Sequence, residues 1–329
     1  MEKPTFESRA IGTLVGLAIG DAMGAPVEGW SVDQIREKYG RVEDFLRPDS
    51  VVTDDTEYAI MTAQLLLKYG PGISLQDIID TWLEMIGDSQ LMGGGFSTSG
   101  AINHLRNGVM PPACGHNKPD SYSAGAAMRI APAGIVFAGK PQQAADFALL
   151  ESQITHGGEG VFGAQAVAAG VASAMAGSDW QTVVEEALRA IPENSWTYRQ
   201  IAKAVSIGKR HDCVFEAVGE LYDEIAILQY FWTSMAPEAV PLALGVYAAA
   251  RGEFRDSVLG GVNVGRDADT IAAIAGALGG ATSGIEGIPD EWKQKIRPAT
   301  GKYVLSAKDQ DLVGLAHKLV VLSQGEVTN

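Results

Sequence analysis

The segment Ile271–Ala281 consists almost entirely of small apolar residues, and it limits the possible folds of this chain more than any other feature. A helix without a polar face must be buried on all sides. Two aspartates, Asp267 and Asp269, stand immediately before it. Because unpaired carboxylates are costly in a protein interior, the fold has to provide partners for both acids.

A second apolar helix is predicted near the N-terminus, over Phe6–Met23, with small residues at Gly12, Gly16 and Gly20. Residues four apart lie on the same face of a helix. A face built from glycines lets another helix approach very closely. We therefore expect Phe6–Met23 to pack tightly against a second helix.

Helical periodicity dominates the rest of the chain, whereas polar–apolar alternation over strand length is scarce. The pattern predicts an all-α fold. The Gly/Pro-rich segments are short and the apolar periodicity resumes after each, so we expect one compact domain over residues 1–329. Helices are expected over residues 6–23, 54–69, 75–86, 141–151, 161–177, 179–191, 198–207, 213–221, 237–251, 254–260, 268–282 and 307–323.

Composition narrows the possible partners. The chain has 40 acidic and 25 basic residues and a formal charge of −15. This charge argues against a broad surface for binding nucleic acid. The N-terminus has no apolar signal core, and the most membrane-like run, residues 161–177, is too short and too weakly apolar to span comfortably. Two cysteines do not suggest a disulfide framework. We expect a cytoplasmic protein that binds neither membrane nor nucleic acid.

The sequence Thr53-Asp54-Asp55 also precedes an apolar helix. Taken alone, such acids are explained by helix capping and by the helix dipole. The second cluster, Asp267-Ala268-Asp269-Thr270, opens a helix that must be buried, so capping no longer suffices if the two clusters meet. Divalent cations prefer carboxylate, hydroxyl and water oxygens, and two of them would offset the repulsion among four aspartates. We predict that the clusters come together.

A third acidic segment follows the N-terminal helix. Glu28 lies just past a helix end marked by Gly24 and Pro26, where a carboxylate can project into a pocket and act as an acid or base. An exposed loop glutamate is the alternative interpretation. Asp21, inside the helix end, is expected to be structural.

Together these segments resemble the ADP-ribosylglycohydrolase family. The motifs occur in the family's order and are Gly20-Asp21-Ala22-Met23-Gly24 with Glu28, Thr53-Asp54-Asp55-Thr56, Tyr122-Ser123-Ala124-Gly125-Ala126-Ala127-Met128-Arg129, Ile154-Thr155-His156 and Gly265-Arg266-Asp267-Ala268-Asp269-Thr270. The resemblance implies an orthogonally packed all-α fold with a binuclear Mg²⁺ or Mn²⁺ centre. It implies a catalytic or metal-adjacent role for Glu28, and as metal ligands Thr53, Asp54, Asp55, Asp267, Asp269 and Thr270.

The resemblance also implies substrate-binding residues. The small-residue segment Ser123–Met128 is similar to the family's substrate loop, and His156 matches a histidine that borders the substrate. The expected contacts are Phe96, Ser97, Ser123, Ala124, Gly125, Met128 and His156. The chain departs from many relatives at Ala124, where they have Asn, and in the string Arg266–Thr270. The run Gly93–Gly95 also lacks an acid that some arginine-linkage hydrolases place there.

The family function is hydrolysis of the bond at C1″ of an ADP-ribosyl group on a protein or small molecule, with Glu28 or Asp55 activating the water. The expected partner is therefore an ADP-ribosylated acceptor. A small N-riboside is the alternative substrate, a two-metal phosphohydrolase is a further possibility from the ligands alone, and a non-catalytic ADP-ribose-binding protein is the third. The acceptor linkage, the choice between Mg²⁺ and Mn²⁺ and the oligomeric state are left open.

Overall fold

The computed structural model describes residues 3–92 and 94–325. Within these ranges the regular structure is helical, and β-pairing is limited to two isolated antiparallel bridges, Leu91 with Val304 and Ser123 with Met235. The predicted all-α class is confirmed. The predicted Gly-rich loop begins at Gly93, which lies outside the described residues, as do both ends of the predicted domain 1–329.

Seventeen α-helices occur in the described ranges, with short 3₁₀ turns at 25–27, 124–126, 285–287 and 305–307. The helices are α1 Phe6–Gly24, α2 Val32–Tyr39, α3 Asp54–Tyr69, α4 Leu75–Gly87, α5 Phe96–Arg106, α6 Ala113–His116, α7 Ala131–Val136, α8 Pro141–Ser152, α9 Glu159–Met175, α10 Trp180–Arg189, α11 Trp196–Arg210, α12 Val214–Ile225, α13 Ala236–Ala249, α14 Phe254–Val264, α15 Ala268–Ser283, α16 Asp290–Lys295 and α17 Leu312–Ser323.

Every helix predicted from the sequence is present, with its ends shifted by a few residues. The last one starts at Leu312 rather than 307, because the Asp311 side chain accepts from the N–H of Val313 and caps it there. Five short helices were not predicted: α2, α5, α6, α7 and α16. Of these, α5 and α6 occupy segments whose glycines and prolines had indicated loops.

Helix α1 packs against α15 through backbone contacts, and the two helices run antiparallel. A Cβ atom on Gly16 would overlap the carbonyl of Gly276, and one on Gly276 would overlap the carbonyl of Gly16. The same reciprocal relation joins Gly12 and Gly280. The predicted close approach of α1 to another helix is therefore seen, and it brings the end of α1 beside the start of α15.

Replacing Gly20 by alanine tests this packing. The added Cβ would overlap the backbone carbonyl of Ala272 and lie 2.7 Å from the nitrogen of Ala273, so the two helices would have to separate. We expect the free energy of unfolding, measured by urea titration, to fall by about 1–3 kcal/mol. Gly87→Ala is the control, because a Cβ at the end of α4 meets nothing within 4 Å. Equal losses in both variants would contradict this explanation.

The most apolar helices lie in the interior. By length and composition Phe6–Val27 is apolar enough to cross a membrane, yet 83% of its most apolar window is buried inside the protein, as in a core helix. The segment at 161–177, expected to be a buried helix, lies in α9, most of whose residues are buried.

Candidate active site

The two acidic clusters meet at the helix N-termini. Asp54 and Asp55 lie in the first turn of α3, Asp269 lies in the first turn of α15, and Asp267 is the residue before α15. All four line one cavity of about 430 Å³. The α1–α15 contact produces this arrangement, because it places the end of α1 between the starts of α3 and α15. Glu28 adds a fifth carboxylate at the mouth of the same cavity.

The carboxylates are close to one another and incompletely satisfied. One oxygen each from Glu28, Asp267 and Asp269 lie within 4.8 Å of one another. Asp55 Oδ1 and Asp267 Oδ2 are buried and have no hydrogen-bond partner among the described residues. Buried carboxylates ordinarily have such partners. Two orphaned oxygens in a cluster of acids therefore fit cation ligation.

The pKa values of these acids show the electrostatic cost. Burial, followed by the charges of Asp269 and Asp21, raises the pKa of Asp55 well above its usual range. Burial and the Asp267 charge do the same to the pKa of Asp269. Burial raises the pKa of Asp267 to about 7, although the Ser234 hydroxyl, 2.8 Å from Asp267 Oδ1, lowers it. Without cations the cluster would be only partly ionised near neutral pH.

Asp21 organises the start of α3 from behind the cavity. Its carboxylate accepts from the N–H of Thr53 at 2.9 and 3.0 Å, from the N–H of Thr56 at 3.2 Å and from the Thr56 hydroxyl at 2.5 Å. Burial raises the pKa of Asp21 to about 6. These contacts agree with the structural role expected for it. The Thr53 hydroxyl lies 3.3 Å from Asp55 Oδ2 and is not part of the cavity wall.

Arg266 does not neutralise the neighbouring aspartates. Its Nε and Nη2 donate to the buried carboxylate of Glu238 at 2.5 and 3.0 Å. The residue has a φ of 60°, unusual for a side-chain-bearing residue, and its backbone pairs with the 29–30 turn through Arg266 N to Trp30 O at 2.8 Å and Gly29 N to Arg266 O at 2.6 Å. This pairing fixes the turn that carries Glu28.

Glu28 follows the 3₁₀ turn Ala25–Val27 and is solvent-exposed as a whole, although its carboxylate faces Asp267 and Asp269. Partial burial, and then the charge of Asp54, raise the pKa of Glu28 above its ordinary value. A carboxylate with a raised pKa that lines a cavity is suited to proton transfer. The sequence expectation of a pocket-facing glutamate agrees with this geometry.

Four of the expected substrate-binding residues form the cavity wall, namely Phe96, Ser123, Gly125 and Met128. The expected metal-ligating Thr270 also lines it. Three expected residues, Ser97, Ala124 and His156, are not part of this wall, and their contact with substrate stays a prediction. Ser97 is buried, and its hydroxyl is within hydrogen-bond distance of the Asp120 carbonyl and of Ser123 Oγ. Ala124 is buried, and its N–H donates to the Ser234 carbonyl at 2.8 Å.

His156 is the third of these residues. It is fully buried, with Nε2 2.7 Å from Ser123 Oγ and Nδ1 2.7 Å from Thr155 Oγ1. Burial, and then the charges of Arg129 and Lys118, hold the pKa of His156 well below its usual range, so the imidazole is neutral. His156 therefore supports Ser123 from behind and is not itself in the cavity wall.

Several cavity residues were missed by the sequence analysis, namely Gly94, Gly95, Phe231, Trp232, Thr233, Ser234 and Tyr303. The three consecutive aromatic residues Tyr230-Phe231-Trp232 were a possible signal in the sequence, and in the structure Phe231 is 93% exposed. Trp232 contacts Phe96 edge-to-face, with 6.5 Å between ring centroids. Tyr303 gave no such signal, since only tertiary contacts bring it to the cavity.

The structure thus defines a class of protein: an all-α fold with an acidic cavity at the N-termini of two helices. The chain belongs to the ADP-ribosylglycohydrolase family, a family of hydrolases whose model matches residues 2–327, and the resemblance inferred from the motifs is thereby confirmed.

Individual relatives cover most of the chain. An uncharacterized protein of Archaeoglobus fulgidus is 32% identical, covering 89% of this chain and 92% of its own length. The ADP-ribosyl-[dinitrogen reductase] glycohydrolase of Rhodospirillum rubrum is 26% identical, covering 90% and 92%. A solved "ADP-ribosylglycohydrolase-related protein complex" matches with a TM-score of 0.67 at 24% identity, covering 97% of this chain and 99% of that one. This last likeness supports the fold alone.

Proposed function

We propose that this protein is a cation-dependent glycohydrolase that cleaves the C1″ glycosidic bond of ADP-ribosylated acceptors and releases ADP-ribose. The observation that carries the proposal is the group of five cavity carboxylates with two orphaned buried oxygens, on Asp55 and Asp267. Family membership supplies the reaction class. The name of the Rhodospirillum rubrum relative supports a protein-linked ADP-ribosyl group as the substrate. We also propose one domain over residues 1–329 and a cytoplasmic location.

Two divalent cations, Mg²⁺ or Mn²⁺, fit the donor set. Their proposed ligands are Thr53, Asp54, Asp55, Asp267, Asp269 and Thr270. When bound, such cations polarise ribose hydroxyls and help to activate or orient a water molecule. Hard oxygen donors are what these ions require. The two threonines contribute hydroxyl oxygens, and Asp21 keeps the start of α3 in place by holding the N–H groups of Thr53 and Thr56.

The chain's own residues supply proton transfer and orientation. Glu28 is the proposed base that takes a proton from the attacking water at its carboxylate oxygen, and its raised pKa makes it a stronger base than an ordinary glutamate. Asp55 is the second candidate for this role. The aromatic side chains of Phe96 and Trp232 form one side of the cavity mouth and would exclude water from the bound sugar.

A small N-riboside is the alternative substrate. The departure of Ala124 from the family pattern noted in the sequence motivates it, and this residue is buried behind Ser123 and Gly125 of the cavity wall. A cation-supplemented screen separates the two possibilities by comparing ADP-ribosyl-arginine and ADP-ribosyl-serine peptides with free ribosides. We expect turnover of at least one ADP-ribosyl linkage. Turnover of free ribosides alone would overturn the proposal.

Asp269→Ala tests the cation centre. We expect bound metal, measured by atomic emission after gel filtration, to fall, and turnover to decrease by roughly 10²–10³-fold. Asp33→Ala is the matched control, since its side chain is 94% exposed on α2, away from the cavity wall. Unchanged metal content and turnover in Asp269→Ala would exclude the cation centre.

A further inference from the structure

The cavity has an electrostatic mismatch with its proposed substrate. Five carboxylates line it, and no lysine, arginine or histidine is among the described residues that do so. An ADP-ribosyl group carries an anionic diphosphate, which five carboxylates repel even when two divalent cations offset much of their charge. A cationic group at the cavity edge would offset this repulsion.

The basic residues nearest the wall are already paired. Arg129 is buried and donates to the Glu151 carboxylate at 2.9 and 3.1 Å. Lys118 is buried beside Asp120, with 3.3 Å between Nζ and Oδ1. Arg266 is held by Glu238, as described above. Arg129 and Arg266 cannot turn toward a substrate without leaving a buried carboxylate unpaired, and Lys118 would leave the half-buried Asp120 without its partner.

Lys302 is in a different position. It is exposed, and it directly precedes Tyr303, which lines the cavity. Its Nζ donates to Tyr303 Oη at 2.9 Å and lies 4.6 Å from the centroid of the tyrosine ring. Because Lys302 is the donor in this bond, the Tyr303 hydroxyl keeps its own proton available for a second acceptor. The pair thus presents an ammonium group and an O–H donor side by side.

The backbone of this segment is held in place before any ligand binds. Glu57 is fully buried and accepts from the Thr300 hydroxyl and from the N–H groups of residues 301–304, at 2.7 to 3.2 Å. Gly301 has a φ of 74°, which glycine adopts readily and which helps successive N–H groups to converge on one carboxylate. The Met92 N–H also donates to the Tyr303 carbonyl at 2.9 Å.

We propose that Lys302 and Tyr303, on the segment 300–304 that Glu57 holds, are the residues that recognise the phosphate oxygens of the substrate. This inference rests on the proposed function for its choice of ligand. The recognition is charge-assisted: Lys302 donates N–H groups and Tyr303 donates its hydroxyl proton to the diphosphate. The two residues therefore determine specificity for a phosphorylated over a phosphate-free riboside, without taking part in bond cleavage.

Lys302→Ala, Lys302→Arg and Tyr303→Phe test the assignment. Calorimetry with ADP-ribose and Mg²⁺ measures binding without turnover, and steady-state kinetics on an ADP-ribosyl peptide separates KM from kcat. In Lys302→Ala we expect Kd and KM to rise about 10-fold or more while kcat changes less than about 2-fold. Tyr303→Phe should give a smaller rise of about 3-fold. Lys302→Arg should restore most of the affinity. Lys318→Ala, on an exposed residue of α17, is the matched control and should behave as wild type.

The two proposals fail in different ways. ADP-ribose binding that depends on Lys302, in a protein that turns over no ADP-ribosyl substrate, supports the recognition pair and contradicts the proposed reaction. An unchanged Kd and KM in Lys302→Ala overturns the recognition pair even when wild-type turnover is normal. An equal rise of KM for a phosphate-free riboside also overturns it, because the effect would then not depend on phosphate. Absence of ADP-ribose binding by the wild-type protein would also overturn the recognition pair.

Discussion

Glu57→Gln is expected to lower the free energy of unfolding by about 3–5 kcal/mol, an unusually large effect for replacing one side-chain oxygen with NH₂. The carboxylate is the common acceptor for one hydroxyl and four backbone N–H groups of the segment 300–304. A glutamine presents an NH₂ group to some of these donors, so they lose their partner and face another donor. Urea titration measures the loss, and amide hydrogen exchange should show residues 301–304 exchanging faster.

Glu216→Gln provides the control for the Glu57 variant. Glu216 also lies in the first turn of a helix, α12, but it is exposed. Its replacement removes the same charge from the same kind of helix position, and we expect a loss of no more than about 0.5 kcal/mol. A loss at Glu57 as small as that at Glu216 would show that the five contacts do not hold the segment.

Glu57 also shows where sequence reasoning stops. It belongs to an acidic run at a helix start, for which capping and the helix dipole are sufficient local explanations. Its actual partners are almost 250 residues further along the chain, at Thr300–Val304. No local pattern distinguishes a first-turn acid that faces solvent from one that binds a distant loop. Tyr303 was missed for the same reason, since the contact with Glu57 is what brings it to the cavity.

The acidic clusters were predictable because charged aspartates stand within a few residues of a segment that must be buried. Ile271–Ala281 has no polar face, so its helix had to be buried, and Asp267 and Asp269 had to enter the interior with it. The glycines at positions 12, 16 and 20 indicated a helix that packs closely. The sequence did not indicate that α1 and α15 are partners, and that pairing is what places the end of α1 beside the start of α15.

The direction in which a side chain points was less predictable than its neighbourhood. Ser97, Ala124 and His156 were all expected to contact substrate, and all three lie one layer behind the cavity wall. Adjacent residues on a short helix or turn face different ways. An error of one position in the sequence therefore replaces a residue of the cavity wall by a residue that packs behind it. Thr98 lines the cavity while Ser97 holds Ser123 from behind.

The cation-free protein is expected to lose stability as pH rises from about 5 to about 8, a direction opposite to that of most carboxylates in proteins. The folded-state pKa is raised to about 6 for Asp21 and to about 7 for Asp267, and lies well above the usual range for Asp55 and Asp269. The folded state therefore binds more protons than the unfolded state in this window. The contribution of these four acids to stability is therefore largest below their unfolded pKa of about 4, and it is lost as pH rises through their folded-state pKa values.

Other groups have separate pH windows or act in the opposite direction. Acids whose pKa is lowered, such as Asp44 and Asp179, contribute stability that is fully present above about pH 4 and is lost as pH falls below it. His156, with a lowered pKa, favours folding as pH rises toward about 6.5, so it opposes the trend, but it is one group against four.

Thermal unfolding of chelator-treated protein with and without added Mg²⁺ or Mn²⁺ measures the effect. We expect the added cation to raise the Tm by roughly 5 °C or more at about pH 8 and by much less at about pH 5, because protons and cations compete for the same carboxylates. In Asp267→Asn the decline of the cation-free Tm with pH should be smaller, and in Asp33→Asn it should match the wild type. A cation-free Tm that rises over this range, or a cation effect equal at both pH values, would show that the cluster is not held together by cations, and the proposed chemistry of the cavity would lose its basis.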